Sequence, residues 1–185
     1  MEYKRWNTVL LILLIPVLLP SGLFAHFNSS VKPSGREKEL SLIDQLISSL
    51  KADTLTPEQN FTVAYQVLKR SIEISYTEGK AESYLRMGKY FSEKHKYASA
   101  VRFLLASGQL FGLLKDTMGM MRVDGSMFSV EIYLKDYKNA MASCRHGLDL
   151  ARQKNDTVIT GIFLERMAGI FYGQQDTLTA LHYYM

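Results

Sequence analysis

Identical residues recur in this chain at a fixed spacing of 40, and that register constrains the fold more than any other feature of the sequence. Ala100, Ala140 and Ala180 share it, and Tyr97 and Tyr137 stand three residues before the first two alanines. Met87, Met127 and Met167 fall in step, as do the pairs Asp116-Thr117 and Asp156-Thr157. Five positions in one register are more than chance supplies. A period of this length means stacked supersecondary units, each too small to bury its apolar face alone.

The units read as helices. Leu40, Ile43, Leu46, Ile47 and Leu50 recur at steps of three and four, which places them on one helical face. Thr56-Pro57-Glu58 has the form of an N-cap followed by proline at the first helical position. The helix after it is expected to run to about Ser75, burying Val63, Val67, Leu68, Ile72 and Ile74. No segment alternates apolar and polar residues with the period of two that a half-buried strand needs. With 47% hydrophobic and 22% charged residues the chain has an ordinary globular composition, and the expected fold class is all-α.

Within each unit the spacing resembles the tetratricopeptide repeat, in which large apolar residues and a small residue on helix A precede an Ala-x3-Phe pattern on helix B. Tyr84, Met87, Gly88 and Phe91 are followed by Ala100 and Leu104, and Leu164, Met167, Ala168 and Phe171 by Ala180 and Tyr184. Small residues at Gly88, Ala168 and the three alanines would let helices approach, while the large ones fill the gaps. The middle unit departs from the pattern, with Asp124 and Glu131 at large apolar positions. Sliding its helix A by one residue puts Phe128, Ser129 and Ile132 in the expected places and shortens the loop to helix B by one. The resemblance implies an α-solenoid of antiparallel helix pairs. A degenerate leading pair would span 38–76, repeats 77–117 and 118–157, and an incomplete repeat 158–185. The last helix B begins near Thr179 and meets the end of the sequence after barely two turns, so the chain is expected to be the N-terminal part of a longer protein.

Ahead of the repeats, Lys4 and Arg5 precede an apolar run from Val9 to Pro20, and Ser21-Gly22-Leu23-Phe24-Ala25 follows. That order is a secretory signal peptide over residues 1–25, with cleavage expected after Ala25 and a flexible lead-in over 26–37. The protein is then exported, to the periplasm or cell envelope. It would meet a membrane only through this segment, if uncleaved, or through a region beyond residue 185.

No catalytic, cofactor or metal constellation stands out. His26, His95, His146 and His182 are scattered, no phosphate-cradling glycine loop is present, and the lone Cys144 sits at a helix packing position. A net charge of +4, dispersed along the chain, does not indicate nucleic acid. The chain reads as a binding protein, not an enzyme. The family resemblance implies a concave groove lined by the A helices, with Arg86, Lys89 and Glu93 of the first unit, Tyr133 of the second, and Arg166 and Tyr172 of the third facing it. Arginine and tyrosine suit a groove for protein or peptide because they join large contact area to hydrogen bonding. The Lys/Asn set by which some members of the family clamp a C-terminal carboxylate is not reproduced. The expected function is an exported interaction scaffold. The alternative is the sensory N-terminal part of a membrane-bound signalling protein, a histidine kinase or transcriptional regulator.

Overall fold

The computed structural model describes residues 33–52 and 54–184; the expected signal peptide lies outside them. The chain divides after Lys38 into two compact units, and of the first only the start of one helix is among the described residues. That helix, α1 (Pro33–Lys51), begins with proline at its first turn and so includes residues 33–37 of the expected lead-in. The unit from Glu39 onward continues with α2 (Pro57–Glu73), α3 (Thr77–Glu93), α4 (Tyr97–Leu114), α5 (Thr117–Tyr133), α6 (Tyr137–Gln153), α7 (Thr157–Gly173) and α8 (Thr177–Tyr184). From α2 to α8 each helix packs on the next, and α3 also meets α5. The described residues are all-α and form a solenoid of antiparallel helices.

From α2 onward the helices start at even intervals, at Pro57, Thr77, Tyr97 and so on to Thr177, so that two helices make up one period of the sequence. One turn, repeated six times, sets that interval. Ser75, His95, Lys115, Lys135, Asn155 and Gln175 all have positive φ, between 54° and 65°, and none is glycine. Around each, two amides close the end of the preceding helix. In the first turn Tyr76 N–H donates to Ser71 C=O at 2.8 Å and Ser75 N–H to Ile72 C=O at 3.2 Å. The same pair of bonds recurs down to Asp176 to Phe171 at 2.9 Å and Gln175 to Tyr172 at 3.0 Å. This is the Schellman arrangement, which satisfies carbonyls that the helix leaves unbonded. In the last four turns the residue after the left-handed one caps the next helix with its side chain, whereas Tyr76 and Lys96 make no such bond. Asp116, Asp136, Asp156 and Asp176 each accept the amide of the third residue on, from Gly119, Asn139, Ile159 and Thr179. Thr56 does so for α2, the N-cap that the sequence predicts, and Gln59 returns the bond to complete a capping box.

The core follows the register of the repeat. Ala100 and Ala140 are fully buried and Ala180 nearly so. A cluster built on Leu85, Leu104, Phe111 and Val130 joins α3, α4 and α5. A second, on Met121, Cys144, Phe163 and Met167, joins α5, α6 and α7, and Met120 packs against both. Large residues face small ones: a Cβ on Gly88 would lie 2.7 Å from Leu104, and Gly119 and Gly147 leave room for the rings of Phe111 and Phe163. The apolar helix α4 is the one described helix long and apolar enough to cross a membrane. Here Ala100, Leu104, Ser107 and Phe111 form its buried stripe, and Ser107 Oγ donates to Ala81 C=O at 2.8 Å.

The middle unit does not slide. Thr117 at the start of α5 stands one full period after Thr77 of α3 and one before Thr157 of α7, and the turn that follows α5, 134–136, is no shorter than the others. Asp124 and Glu131 keep the positions of Tyr84 and Phe91 because hydrogen bonds replace ring contacts there. In the first unit Phe91 stacks on Phe103 at 5.3 Å, and in the third Phe171 stacks on Tyr183 at 5.4 Å. Between them, the equivalent pair is Glu131 and Ser143, whose Oγ donates to Glu131 Oε2 at 2.8 Å. Asp124 takes His146 Nδ1 at 2.8 Å. Burial nonetheless raises the pKa of both carboxyls above the usual range, against the pull of Ser143 and His146.

Packing at the glycines can be tested by substitution. Gly88→Leu should destabilise the protein by about 1–3 kcal/mol through overpacking against Leu104, while Gly161→Ala, whose Cβ would meet nothing within 4 Å, should stabilise it by about 0.5–1 kcal/mol through helix propensity. Equal denaturation midpoints for the two variants would contradict the packing. Lys135→Gly should raise stability by up to about 1 kcal/mol, because glycine carries no penalty in the left-handed region; urea denaturation of the single variant measures it.

Candidate functional site

A groove of about 640 Å³ opens along the faces of α3, α5 and α7, the first helices of three successive pairs. Consecutive helices point in opposite directions, so alternate ones lie side by side and present equivalent positions to the same surface. Helix α3 contributes Lys89, Ser92 and Glu93, and His95 follows in the turn. Helix α5 runs along the middle with Arg122, Gly125, Ser126, Ser129 and Tyr133. Helix α7 closes the far side with Ile159, Ile162, Phe163 and Arg166, and Met118 and Met121 of α5 add further apolar lining.

Four of the six residues that the sequence points to meet here: Lys89, Glu93, Tyr133 and Arg166. The other two do not line the groove. Tyr172 is exposed, and Arg86 is buried behind it, its Nε donating to Glu82 Oε1 at 3.0 Å one helical turn back. Glu82 is itself only 1% exposed and receives a second guanidinium. Arg122 Nη2 reaches Glu82 Oε1 at 2.6 Å and Oε2 at 2.8 Å, linking α3 to α5. Burial by itself would raise the Glu82 pKa; hydrogen bonds and charge from Arg122 and Arg86 outweigh it, and the carboxyl is held below its usual range. The triad carries two positive charges against one negative and shows one of the two, Arg122, to the groove.

Arg166 is positioned differently. Its guanidinium carbon lies 5.3 Å from the Phe128 ring centre and 5.4 Å from that of Phe163, within reach of both π faces. Gly125 makes the space: a Cβ there would come within 2.6 Å of Arg166 Nη1. Behind it Cys144 is a fully buried core side chain, its thiol pushed up to about 12 by burial, with Arg166 pulling the other way. At the C-terminal end of α5, Tyr133 stacks on Tyr97 at 5.7 Å, and His95 Nδ1 sits 2.8 Å from the Tyr97 hydroxyl. His95 and Tyr133 thus form one aromatic wall, and Ile162 and Met118 add exposed apolar surface.

Arg122, Gly125 and the serines escape sequence reasoning, although a signal exists. Glu82 and Arg122 are opposite charges one full period apart in the chain, which the repeat places side by side. Among the described residues no group of three or more His, Cys, Asp or Glu could hold a metal ion. No model of a known protein family and no curated protein matches the sequence.

The triad makes a sharp prediction. Glu82→Gln should cost about 3 kcal/mol at neutral pH, the scale for breaking a buried ion pair. Because Glu82 has a lowered folded pKa, its contribution is present above the ordinary carboxylate range and is lost as pH falls through the folded value. The variant should therefore lose less stability than wild type between neutral pH and the acid range. Asp124 and Glu131, with raised values, act with the opposite sign in both proteins and cancel in the comparison. Urea denaturation of both proteins across that range measures the difference, and parallel acid limbs would refute the assignment.

Proposed function

We propose that this protein is an exported interaction scaffold whose groove over α3, α5 and α7 receives an extended peptide segment of a partner protein. The observation that carries this reading is the groove itself. Three helices present charged, hydroxyl and apolar side chains on one concave strip, Arg166 and Tyr133 among them. Tyrosine and arginine held in place by their neighbours are the residues that most often dominate binding energy at protein interfaces. The resemblance to the tetratricopeptide repeat supports the same reading, through Gly88, Ala100, Ala168 and Ala180 and the register that they share. Export rests on Lys4, Arg5, the apolar run to Pro20 and the small residue Ala25.

Panning a random dodecapeptide phage library on the full chain tests the groove. Ser129 is exposed and lines it, so Ser129→Trp should plug it without disturbing the core. Clones selected on wild type should bind the plugged variant at least tenfold more weakly. Equal binding to both, or no selected clones at all, would overturn the groove as the binding site.

A further inference from the structure

We propose that the groove selects peptides carrying an acidic side chain flanked by large apolar residues, with Arg166 as the anchor for the carboxylate. The proposal rests on the groove being a peptide site and names the chemistry that the site prefers. Charge comes first. Lys89, Arg122 and Arg166 line the groove against a single lining acid, Glu93. Behind Arg122, Glu82 accepts from both Arg86 and Arg122, which holds the Arg122 guanidinium beside the groove.

Geometry then distinguishes Arg166 from an ordinary surface arginine. Two rings and the bare backbone at Gly125 define where its guanidinium lies. No carboxylate among the described residues pairs with it. A long flexible side chain normally loses rotamer freedom when it grips a ligand; here the fold has already restricted it. A guanidinium held in this way matches a carboxylate through two parallel N–H···O bonds. Arg122 uses Nη2 for both Glu82 oxygens, so it remains a fixed positive charge on the adjoining helix.

The apolar half of the preference comes from the residues around the anchor. Ile159, Ile162 and Phe163 share α7 with Arg166, and Met118 and Met121 face them from α5. Ile162 and Met118 are 41% and 47% exposed, so there is apolar area for a ligand to cover. A basic peptide would meet like charge, and a purely apolar one would bury the guanidinium without a partner.

Phage panning on the full chain tests this with a library of dodecapeptides fused at their C-termini, so that any acid preference comes from side chains. Clones that lose binding to Ser129→Trp should be enriched in Asp or Glu next to Leu, Ile, Phe or Met. Synthetic fluorescein-labelled versions of those clones should bind about tenfold more tightly than their Asn/Gln counterparts, as a charge-assisted pair requires. That margin should shrink as salt rises from about 50 to about 500 mM. Arg166→Glu should abolish the discrimination. Gly125→Ala keeps every charge but pushes the guanidinium from its place, and should reduce the discrimination at least threefold while the thermal midpoint stays near wild type. Groove-dependent clones without acidic enrichment, or full discrimination in both variants, would overturn this inference and leave the peptide groove standing. Absence of any groove-dependent clone would overturn the groove reading and this inference with it.

Discussion

From α3 onward, the bond from the amide just ahead of each helix to a carbonyl in the last turn of the helix before it, as from Tyr76 to Ser71 or Asp136 to Glu131, is the constraint on which the solenoid depends. It forces one residue per turn into the left-handed region and reverses the chain at once. Because the same reversal occurs twice in every period, alternate helices come to lie alongside each other in constant register. Equivalent positions of consecutive units therefore become neighbours, and Glu82 can grip Arg122 across one whole repeat. The groove inherits its geometry from the same regularity. Without a constant turn, Lys89 of α3, Ser129 of α5 and Arg166 of α7 would not open onto one surface.

Within that frame the interior is less uniform than the backbone. The contact that closes each helix pair is a ring stack at Phe91–Phe103 and again at Phe171–Tyr183, but a hydroxyl–carboxylate bond at Glu131–Ser143. Volumes trade in the same pairwise way between pairs. Phe111 stands against Gly119, whereas the equivalent positions hold a small Ala151 and a large Ile159. What packing conserves is the sum at a contact, not either residue. The middle pair has the more polar solution, with two carboxyls whose burial works against their ionisation. The helix that carries this polar interior, α5, also forms the middle of the groove.

Much of the architecture is legible in the sequence. The long-period register, three- and four-residue apolar spacing and the Thr56-Pro57 cap identify helices in pairs, and Ala100, Ala140 and Ala180 are the buried contacts that their spacing suggests. These are local or periodic properties, and a single chain displays them directly. The turns are harder to see because lysine, histidine and glutamine occupy the left-handed position where glycine would announce it. The aspartates at 116, 136, 156 and 176 carry the half-period openly, yet each is an ordinary polar residue until its amide partner is known.

The site divides along the same line. The family resemblance nominates six groove residues, and four of them, Lys89, Glu93, Tyr133 and Arg166, are brought together on one strip. Which of its arginines faces a ligand is another matter, because Arg86 and Arg166 hold equivalent places in their repeats. Tertiary structure separates them. Glu82 lies one turn before Arg86 and draws it inward, whereas Ile162 holds the equivalent place before Arg166 and offers no charge. Arg166 instead settles over Gly125 between Phe128 of another helix and Phe163 of its own. The sequence determined the helices and their period, since these depend on residues near in the chain or on a repeat that the chain displays directly. Only the folded arrangement decided which charges are neutralised and which remain available, because that depends on partners in the neighbouring repeat, as Arg122 is for Glu82 and Phe128 for Arg166.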